Sequence, residues 1–339
     1  MKAAIINENG NLACDEVPDP APGPGEVKVA VQAAGICGTD VAIAAGTLPT
    51  PRPLILGHEV AGIVDEVGPG VDASWVGERV TTEINRFSCG ACFFCQHDMP
   101  TQCPSRKAIG IDIDGGFAEF LITEERLLHK IPEKIDFMPA TFIEPLAAGV
   151  QTFRLMPLGE IDRTVAIFGS GKLGLLILQV LKAEYPGVTT IVVGRSAYRR
   201  EFAARFGADA VIDASETDPV AKIQELTGGL GADVVIEATG NPDAAGLAIA
   251  ACRTRGKVSI KSTHGVPTPI NLTDVVVREL TIYSSRCGPF DAAIDLLRKK
   301  KVEVQSLITE VFPLSRVEDA FAFISHRDDF IKIALDTTK

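Results

Sequence analysis

A glycine-rich turn at the middle of the chain constrains the possible folds more than any other segment. The apolar run 164–168 has the length and composition of a buried parallel strand. An apolar helical stretch, 175–183, follows the turn, so the glycines lie in a strand–turn–helix context. Such glycines permit a tight turn, a close approach of a diphosphate, and close packing of helix on strand. The turn is therefore predicted to bind a dinucleotide through Gly169, Ser170, Gly171, Lys172, Leu173 and Gly174.

Later segments continue the alternation of apolar strands with helices. Strands are predicted at 190–193, 232–237 and 257–260, and this alternation favours an α/β fold with a doubly wound parallel sheet of the Rossmann type. Thr239 and Thr263 come just after two of these strands, at the edge where such sheets bind ligands. Each is a candidate cofactor contact, and capping of a turn is the alternative interpretation.

The residues after the second strand of this region bear on the choice of nicotinamide cofactor. Enzymes that use NAD usually have an acidic residue there for the ribose hydroxyls, whereas this chain has Gly194 and Arg195. Glycine leaves room for a 2′-phosphate and arginine pairs with it. Arg199 and Arg200, one helical turn later, are candidates for the same pocket. We therefore expect NADP to be preferred over NAD; the alternative is that these arginines form a solvated helix start.

Four of the eight cysteines lie close together, at positions 89, 92, 95 and 103. Four thiolates satisfy tetrahedral Zn²⁺ and leave no open position, so the spacing predicts a structural zinc site formed by Cys89, Cys92, Cys95 and Cys103. Reduced thiols, two disulfides and an iron–sulfur cluster are the alternatives. The N-terminal part around this cluster is interrupted by Gly and Pro and is predicted to be rich in β-structure.

Three further potential ligands lie on separate N-terminal segments: Cys37, His58 and Glu144. One sulfur, one imidazole and one carboxylate would make a zinc site with its fourth position open, as catalytic sites have. Spacing alone supports this weakly, because a single Cys, His or Glu is usually structural.

Length and composition exclude several classes of protein. The chain has 339 residues, which suggests two domains, and 46% hydrophobic residues, enough for a sizeable core. Its formal net charge of −11 argues against a nucleic-acid partner. No apolar run reaches about 18 residues, so no membrane span is expected. The N-terminus turns polar too early for a signal peptide, and a cytoplasmic location is expected.

Taken together, the motifs resemble those of the zinc-dependent medium-chain dehydrogenase/reductase superfamily, which includes alcohol, polyol and threonine dehydrogenases. The resemblance rests on the glycine turn, the cysteine cluster and the segments 35–40, 57–62, 115–120, 144–147 and 237–240. It implies a GroES-like, β-rich catalytic domain formed by residues 1–147 and 289–339. A Rossmann nucleotide-binding domain is implied at 148–288, between these two parts.

The resemblance also implies residue roles. Cys37, His58 and Glu144 match the ligands of a catalytic zinc, and Glu59 matches a carboxylate that orients the site or enters the metal shell. Thr39 matches the hydroxyl that relays a proton from the substrate. The implied reaction is hydride transfer between a small alcohol or polyol, or its aldehyde or ketone product, and NADP(H). The four clustered cysteines match the structural zinc lobe, giving one catalytic and one structural zinc.

Departures from the family pattern keep alternatives open. Ala42 stands where relatives often have the histidine that ends the proton relay, and Lys172 is unusual in the glycine turn. Arg286 is a candidate contact for the cofactor or for a substrate anion, with a simple loop ion pair as the alternative. An NAD-dependent sugar or polyol dehydrogenase and a non-catalytic cofactor-binding protein are the rival functions. A homodimer or homotetramer, formed through the Rossmann edge near 267–284, is expected from the resemblance.

Overall fold

The computed structural model describes every residue from Met1 to Lys339 and contains eighteen strands and eleven α-helices. The strands are β1 Lys2–Ile6, β2 Leu12–Glu16, β3 Glu26–Gly35, β4 Leu54–Ile55, β5 Glu59–Val67, β6 Arg79–Thr82, β7 Asn85–Arg86, β8 Lys107–Ala108, β9 Phe120–Glu124, β10 Leu128–Lys130, β11 Thr164–Phe168, β12 Thr189–Gly194, β13 Ala210–Asp213, β14 Ala232–Glu237, β15 Cys252–Ile260, β16 Thr281–Ser284, β17 Ile308–Pro313 and β18 Lys332–Asp336. The helices are α1 Gly38–Ala44, α2 Phe93–Gln96, α3 Phe137–Ala140, α4 Ile143–Leu155, α5 Lys172–Glu184, α6 Ala197–Arg205, α7 Pro219–Leu226, α8 Ala244–Ala251, α9 Leu272–Val277, α10 Phe290–Arg298 and α11 Val317–His326.

The chain divides into two compact units, each built from separate stretches of sequence. The first unit comprises Met1–Glu144, Val304–Arg327 and Lys332–Lys339, and the second comprises Pro145–Glu303 and Asp328–Ile331. The second unit extends beyond the predicted boundary at 288, because α10 makes its contacts there. None of the helices combines the length and the apolar character needed to cross a lipid bilayer.

The second unit is built on a six-stranded parallel sheet. Its strand order is β13-β12-β11-β14-β15-β16, and every adjacent pair is parallel. This is the doubly wound order whose direction reverses between β11 and β14, and it confirms the predicted Rossmann-type sheet. The core packs Phe168, Val193 and Val235 of the sheet against Ile223 and Ile249 of the flanking helices.

Two glycines of the turn after β11 occupy positions that no other residue fits. Gly169 has a φ of 112°, and a Cβ there would lie 2.6 Å from the carbonyl oxygen of Ala238. A Cβ on Gly174 would overlap the carbonyl oxygen of Gly169. The tight turn and the close packing of α5 on β11 therefore both depend on glycine.

The first unit is β-rich, as predicted, and is organised around the long strand β3. Its larger sheet has the order β10-β6-β5-β3-β18-β17, with β9 also pairing with β3. A smaller sheet has the order β2-β1-β4. At the end of β3, Gly35 lies opposite Glu59 of β5 and opposite Ala334 of β18. This register brings the start of β5 and the start of β18 beside the segment that leads into α1.

Candidate metal and cofactor sites

The end of β3 and the start of β5 bring three predicted metal ligands together. The Sγ atom of Cys37, a ring nitrogen of His58 and a carboxylate oxygen of Glu59 all lie within 4.8 Å of one another. His58 and Glu59 are buried, and Cys37 is half-buried. Thiolate, imidazole and carboxylate are the donor types that Zn²⁺ prefers, so the cluster fits this ion. Glu144 lies in the first turn of α4, half-buried, and is outside this group of three.

A buried carboxylate that the sequence analysis did not predict supports this cluster. Asp40 is fully buried; one of its oxygens accepts a hydrogen bond of 2.7 Å from the backbone N–H of Cys37. Its other oxygen accepts from the N–H of Gly57 at 3.3 Å and lies 3.5 Å from Nδ1 of His58. Burial lowers the pKa of His58, but Asp40 and Cys37 outweigh it and hold that pKa well above its usual range. A carboxylate beside Nδ1 orients the ring for a metal at the other nitrogen.

A buried lysine, also absent from the predictions, pairs with Glu59. Lys332 and Glu59 are both fully buried and form an ion pair. The Nζ atom of Lys332 lies 5.4 Å from the ring centroid of Phe142. Burial lowers the pKa of Lys332 to about 8, although Cys37 and Asp40 act in the opposite direction. The sequence signal was a lysine inside the apolar run 330–335, which no local motif explains.

Thr39, the residue predicted to relay a proton, lies beside the group of Cys37, His58 and Glu59. Oγ1 of Thr39 lies 3.8 Å from Sγ of Cys37, and Thr39 is half-buried in the first turn of α1. Ala42, one turn later, contributes only its carbonyl oxygen, which accepts from the backbone and hydroxyl of Thr47. A relay from Thr39 would therefore need an acceptor other than a side chain at 42.

The four clustered cysteines form a second group of possible ligands. Their sulfur atoms all lie within 4.8 Å of one another, and all four thiols are free. Sγ of Cys92 lies 3.6 Å from Sγ of Cys95, and the same distance separates Cys89 from Cys103. These separations are too long for disulfides, whose sulfurs lie about 2.05 Å apart. Hydrogen bonds from backbone N–H groups lower the pKa of Cys89 and lower that of Cys103 to about 6, whereas burial raises the pKa of Cys95 to about 12. The first two thiols are thereby favoured as thiolates, the form that binds metal.

A cavity of about 620 Å³ opens at the carboxyl ends of β11, β12 and β14. The predicted cofactor residues that line it are Gly169, Ser170, Gly171, Gly194, Arg195, Arg199 and Thr239. Lys172, Leu173, Gly174, Thr263 and Arg286 do not line this cavity. Lining residues that the sequence analysis missed include Asn241, Leu247 and Asp328. Asp328 is distant in sequence, so only the fold could reveal it.

A side chain at the end of β12 would require Ser170 to move. A Cβ on Gly194 would overlap Oγ of Ser170, which lines the same cavity. The exposed Arg195 also lines this cavity, so a cationic group lies where an NAD enzyme usually has an acid.

The other two arginines of this region are held by partners. Nε of Arg199 donates to the carbonyl of Phe330 at 2.9 Å, and burial lowers the Arg199 pKa. The Arg200 guanidinium donates to the carbonyl of Gly194 at 3.3 Å and forms an ion pair with Asp213. Arg200, a candidate for the phosphate pocket, therefore points toward Asp213. No local sequence pattern indicated this ion pair.

Three predicted cofactor contacts lie in the loops that follow β14, β15 and β16. Oγ1 of Thr239 donates to Glu237 at 2.6 Å and accepts from the N–H of Asn241 at 2.9 Å, so it caps the turn as well as lining the cavity. Thr263 and Arg286 are exposed in the loops after β15 and β16.

Comparison with known proteins agrees with this architecture. Residues 23–133 match the family model of the alcohol dehydrogenase GroES-like domain, and residues 173–299 match that of the zinc-binding dehydrogenases. A sorbitol dehydrogenase of Halalkalibacterium halodurans is 34% identical over 343 residues, covering 99% of each chain. An L-threonine 3-dehydrogenase of Pyrococcus horikoshii is 36% identical over 320 residues, covering 90% of each chain.

Solved structures give the same result. A short chain alcohol dehydrogenase of Escherichia coli CFT073, complexed with NADH, superposes with a TM-score of 0.91 at 32% identity, covering 99% of each chain. A Sinorhizobium meliloti 1021 protein of the zinc-binding dehydrogenase type, bound to NADP, superposes with a TM-score of 0.89 at 32% identity, covering 99% of this chain and 98% of that one. The chain therefore belongs to the zinc-dependent medium-chain dehydrogenase/reductase superfamily and is an NAD(P)-dependent alcohol or polyol oxidoreductase.

Proposed function

We propose that this protein transfers a hydride between a small alcohol or polyol and NADP, using one catalytic and one structural zinc. The observation that carries this proposal is the convergence of Cys37, His58 and Glu59 at the end of β3, supported by Asp40. Thiolate, imidazole and carboxylate donors converging at one buried point are the set that holds Zn²⁺ in proteins, and Lys332 offsets the charge of only one of them, Glu59.

The catalytic ion would be held by Cys37 and His58, with Glu59 or Glu144 as the carboxylate ligand. Glu59 lies within the cluster, whereas the family pattern favours Glu144, whose first-turn position on α4 is half-buried. When bound, the ion supplies Lewis-acid chemistry at the substrate oxygen. Asp40 keeps the ring of His58 oriented for metal binding, since its carboxylate faces Nδ1.

Thr39 is the residue that we propose moves the substrate proton. Its hydroxyl both donates and accepts, so it accepts the proton from the substrate hydroxyl as it passes its own proton on. The 3.8 Å separation of Oγ1 from Sγ of Cys37 supports this role, because Cys37 is one of the proposed metal ligands. Because Ala42 provides no side-chain acceptor, the proton continues to water or to a cofactor hydroxyl.

The preference for NADP is supported by Gly194 and Arg195. The sequence has glycine where NAD enzymes usually carry an acid, and a side chain at 194 would require Ser170 to shift. Arg195 lines the cavity and offers the charge that a 2′-phosphate requires. Arg199 lines the same cavity, with its Nε already engaged by Phe330, and contributes less.

The four-cysteine group is proposed to hold the structural zinc. Four sulfurs within 4.8 Å of one another fill a tetrahedral shell, so this site has no place for substrate. Zinc there would hold together a loop whose only regular elements are short, such as the four-residue helix Phe93–Gln96.

The proposed assembly is a homodimer or homotetramer that uses the edge strand β16. This strand has a neighbour on one side only, β15, and Ile282 on it is 42% exposed. Val276 and Val277 of the preceding helix α9 are 73% and 72% exposed. An unpaired edge flanked by exposed aliphatic side chains suits pairing with a second copy.

The test is steady-state oxidation of a panel of primary alcohols, secondary alcohols and polyols with NADP and with NAD. The proposal predicts zinc-dependent turnover and a kcat/KM that is higher with NADP. Arg195→Ala should lower the kcat/KM with NADP about tenfold while leaving that with NAD within twofold, since a charged hydrogen bond to phosphate is lost. Equal or better use of NAD by the native enzyme would favour the NAD-dependent polyol dehydrogenase instead.

A further inference from the structure

A buried lysine at the carboxyl end of the parallel sheet lies outside the metal and cofactor sites. Lys261 directly follows β15 and is only 8% exposed. Its Nζ donates to the carbonyl of Ala148 at 3.1 Å, and to the carbonyl and hydroxyl of Ser285 at 2.8 and 2.5 Å.

These contacts join three separate segments at one point. The register of β15 with β16 pairs Ile260 with Ser284, so Lys261 and Ser285 are the next residues along two adjacent strands. Ala148 belongs to α4, which lies over the same edge. Gly288 presses the far end of this segment against α4, because a Cβ there would overlap the carbonyl of Ala147. Segment 285–288 is therefore fixed to α4 at both ends.

Burying a lysine is costly, because an ammonium group loses its hydration. The hydrogen bonds to Ala148 and Ser285 offset part of that cost. A β-branched residue at the end of a parallel strand would pack without that cost. The lysine instead fixes a position, because its three hydrogen bonds hold the main chain of Ser285 against α4.

The position of this segment in the sheet indicates what it serves. In a doubly wound sheet of this order, each half of the sheet binds one of the two nucleotides of a dinucleotide. The glycine turn and Arg195 lie on the half formed by β11, β12 and β13, and so take the adenosine phosphate part. The carboxyl ends of β14, β15 and β16 are left for the nicotinamide nucleotide.

We propose that Lys261 is a positioning residue for the nicotinamide end of the cofactor. It holds the main chain of 285–288 where backbone N–H and carbonyl groups bind the carboxamide of the ring. Lys261 acts through this segment and does not itself touch the reacting atoms. The inference rests on the nicotinamide dinucleotide being the cofactor, and not on whether NADP or NAD is preferred.

The test compares a ligand that contains nicotinamide with one that lacks it. The full-length protein is titrated with NADPH and with 2′-phospho-ADP-ribose, and with NADH and ADP-ribose as the unphosphorylated pair. Lys261→Met should weaken binding of NADPH and NADH about tenfold, since hydrogen bonds that position the ring are lost. Affinity for the two ligands without nicotinamide should stay within twofold. Lys261→Gln, which keeps a donor, should fold and show a smaller loss of the same kind.

Lys257→Met is the matched control. Lys257 lies on the same strand, and its Nζ donates to Asp162 at 2.7 Å and to the carbonyl of Pro157 at 2.8 Å. Lys257→Met should lower the stability of the protein. It should leave unchanged the ratio of the affinity for NADPH to that for 2′-phospho-ADP-ribose. Equal weakening of both ligand types by Lys261→Met and Lys261→Gln would overturn the inference and assign Lys261 a general structural role. Failure of the native protein to bind either nicotinamide dinucleotide would instead overturn the proposed cofactor itself, and this inference with it.

Discussion

Lys332 and Glu59 form an ion pair in which both side chains are fully buried. Their strands, β18 and β5, lie on either side of β3. Ala334 of β18 and Glu59 of β5 both pair with Gly35, the last residue of β3. Gly35 makes the contact possible, because a Cβ there would overlap the Lys332 ammonium. Glu59 is also one of the three clustered candidate ligands, so the pair fixes a carboxylate at the edge of the proposed catalytic centre.

Removing Lys332 should therefore destabilise the protein. In Lys332→Met the Glu59 carboxylate stays buried without its partner, which costs about 3–5 kcal/mol in comparable pairs. The free energy of unfolding in urea measures this loss. Lys339→Met is the control: its ion pair with Asp336 is at the surface, where Lys339 is 72% exposed, and its loss should cost less than about 1 kcal/mol. Similar stabilities for the two variants would contradict the importance given to the buried pair.

The fit of Gly194 against Ser170 makes a prediction about cofactor choice. Gly194→Asp introduces a side chain that overlaps Oγ of Ser170 and a negative charge beside Arg195. NADPH affinity should fall at least about tenfold, because the charge repels the 2′-phosphate. The overlap with Ser170 should weaken NADH binding as well. In the double variant Gly194→Asp with Ser170→Gly the overlap is removed, so NADH binding should recover while NADPH binding stays weak. Fluorescence titration checks both variants, and unchanged NADPH affinity in Gly194→Asp would show that the phosphate binds elsewhere.

The cysteine group predicts a selective loss of metal. Cys103→Ser removes one of four clustered sulfurs, so one zinc ion per chain should be lost and the loop should become sensitive to proteolysis. Cys252→Ser is the matched control, since Cys252 is also buried but lies outside both clusters, and burial raises its pKa to about 12. Metal analysis by mass spectrometry distinguishes them. Equal zinc content in native protein and Cys103→Ser would exclude a zinc site at this group.

The exposed edge of the parallel sheet predicts the assembly state. A double change, Val276→Glu with Ile282→Lys, places charges on the aliphatic surface beside β16 and should yield monomers. Leu230→Glu is the control, because Leu230 is 73% exposed but lies before β14, away from that edge. Sedimentation velocity reports the mass of each species. A native monomer, or an unchanged oligomer in the double variant, would contradict the proposed interface.

Local patterns predicted the parts of the structure that neighbouring residues determine. The turn from Gly169 to Gly174 could be recognised because strand, glycines and helix are contiguous. The cysteine group was equally visible, since its four members lie within one loop. The roles of Asp40, Lys261 and Lys332 could not be predicted, because they depend on which strands and helices meet. Arg200 illustrates the same limit: its sequence position suggests a phosphate, while the fold supplies Asp213.

The most direct test of the proposed mechanism is the metal content and turnover of Cys37→Ser beside the native enzyme. Cys37 belongs to the three-residue cluster and not to the four-cysteine group. The native enzyme should contain two zinc ions per chain and oxidise at least one alcohol or polyol with NADP. Cys37→Ser should retain one zinc ion, bind NADPH as the native enzyme does, and show no turnover. Full turnover with the native zinc content in Cys37→Ser would contradict a catalytic metal at the end of β3.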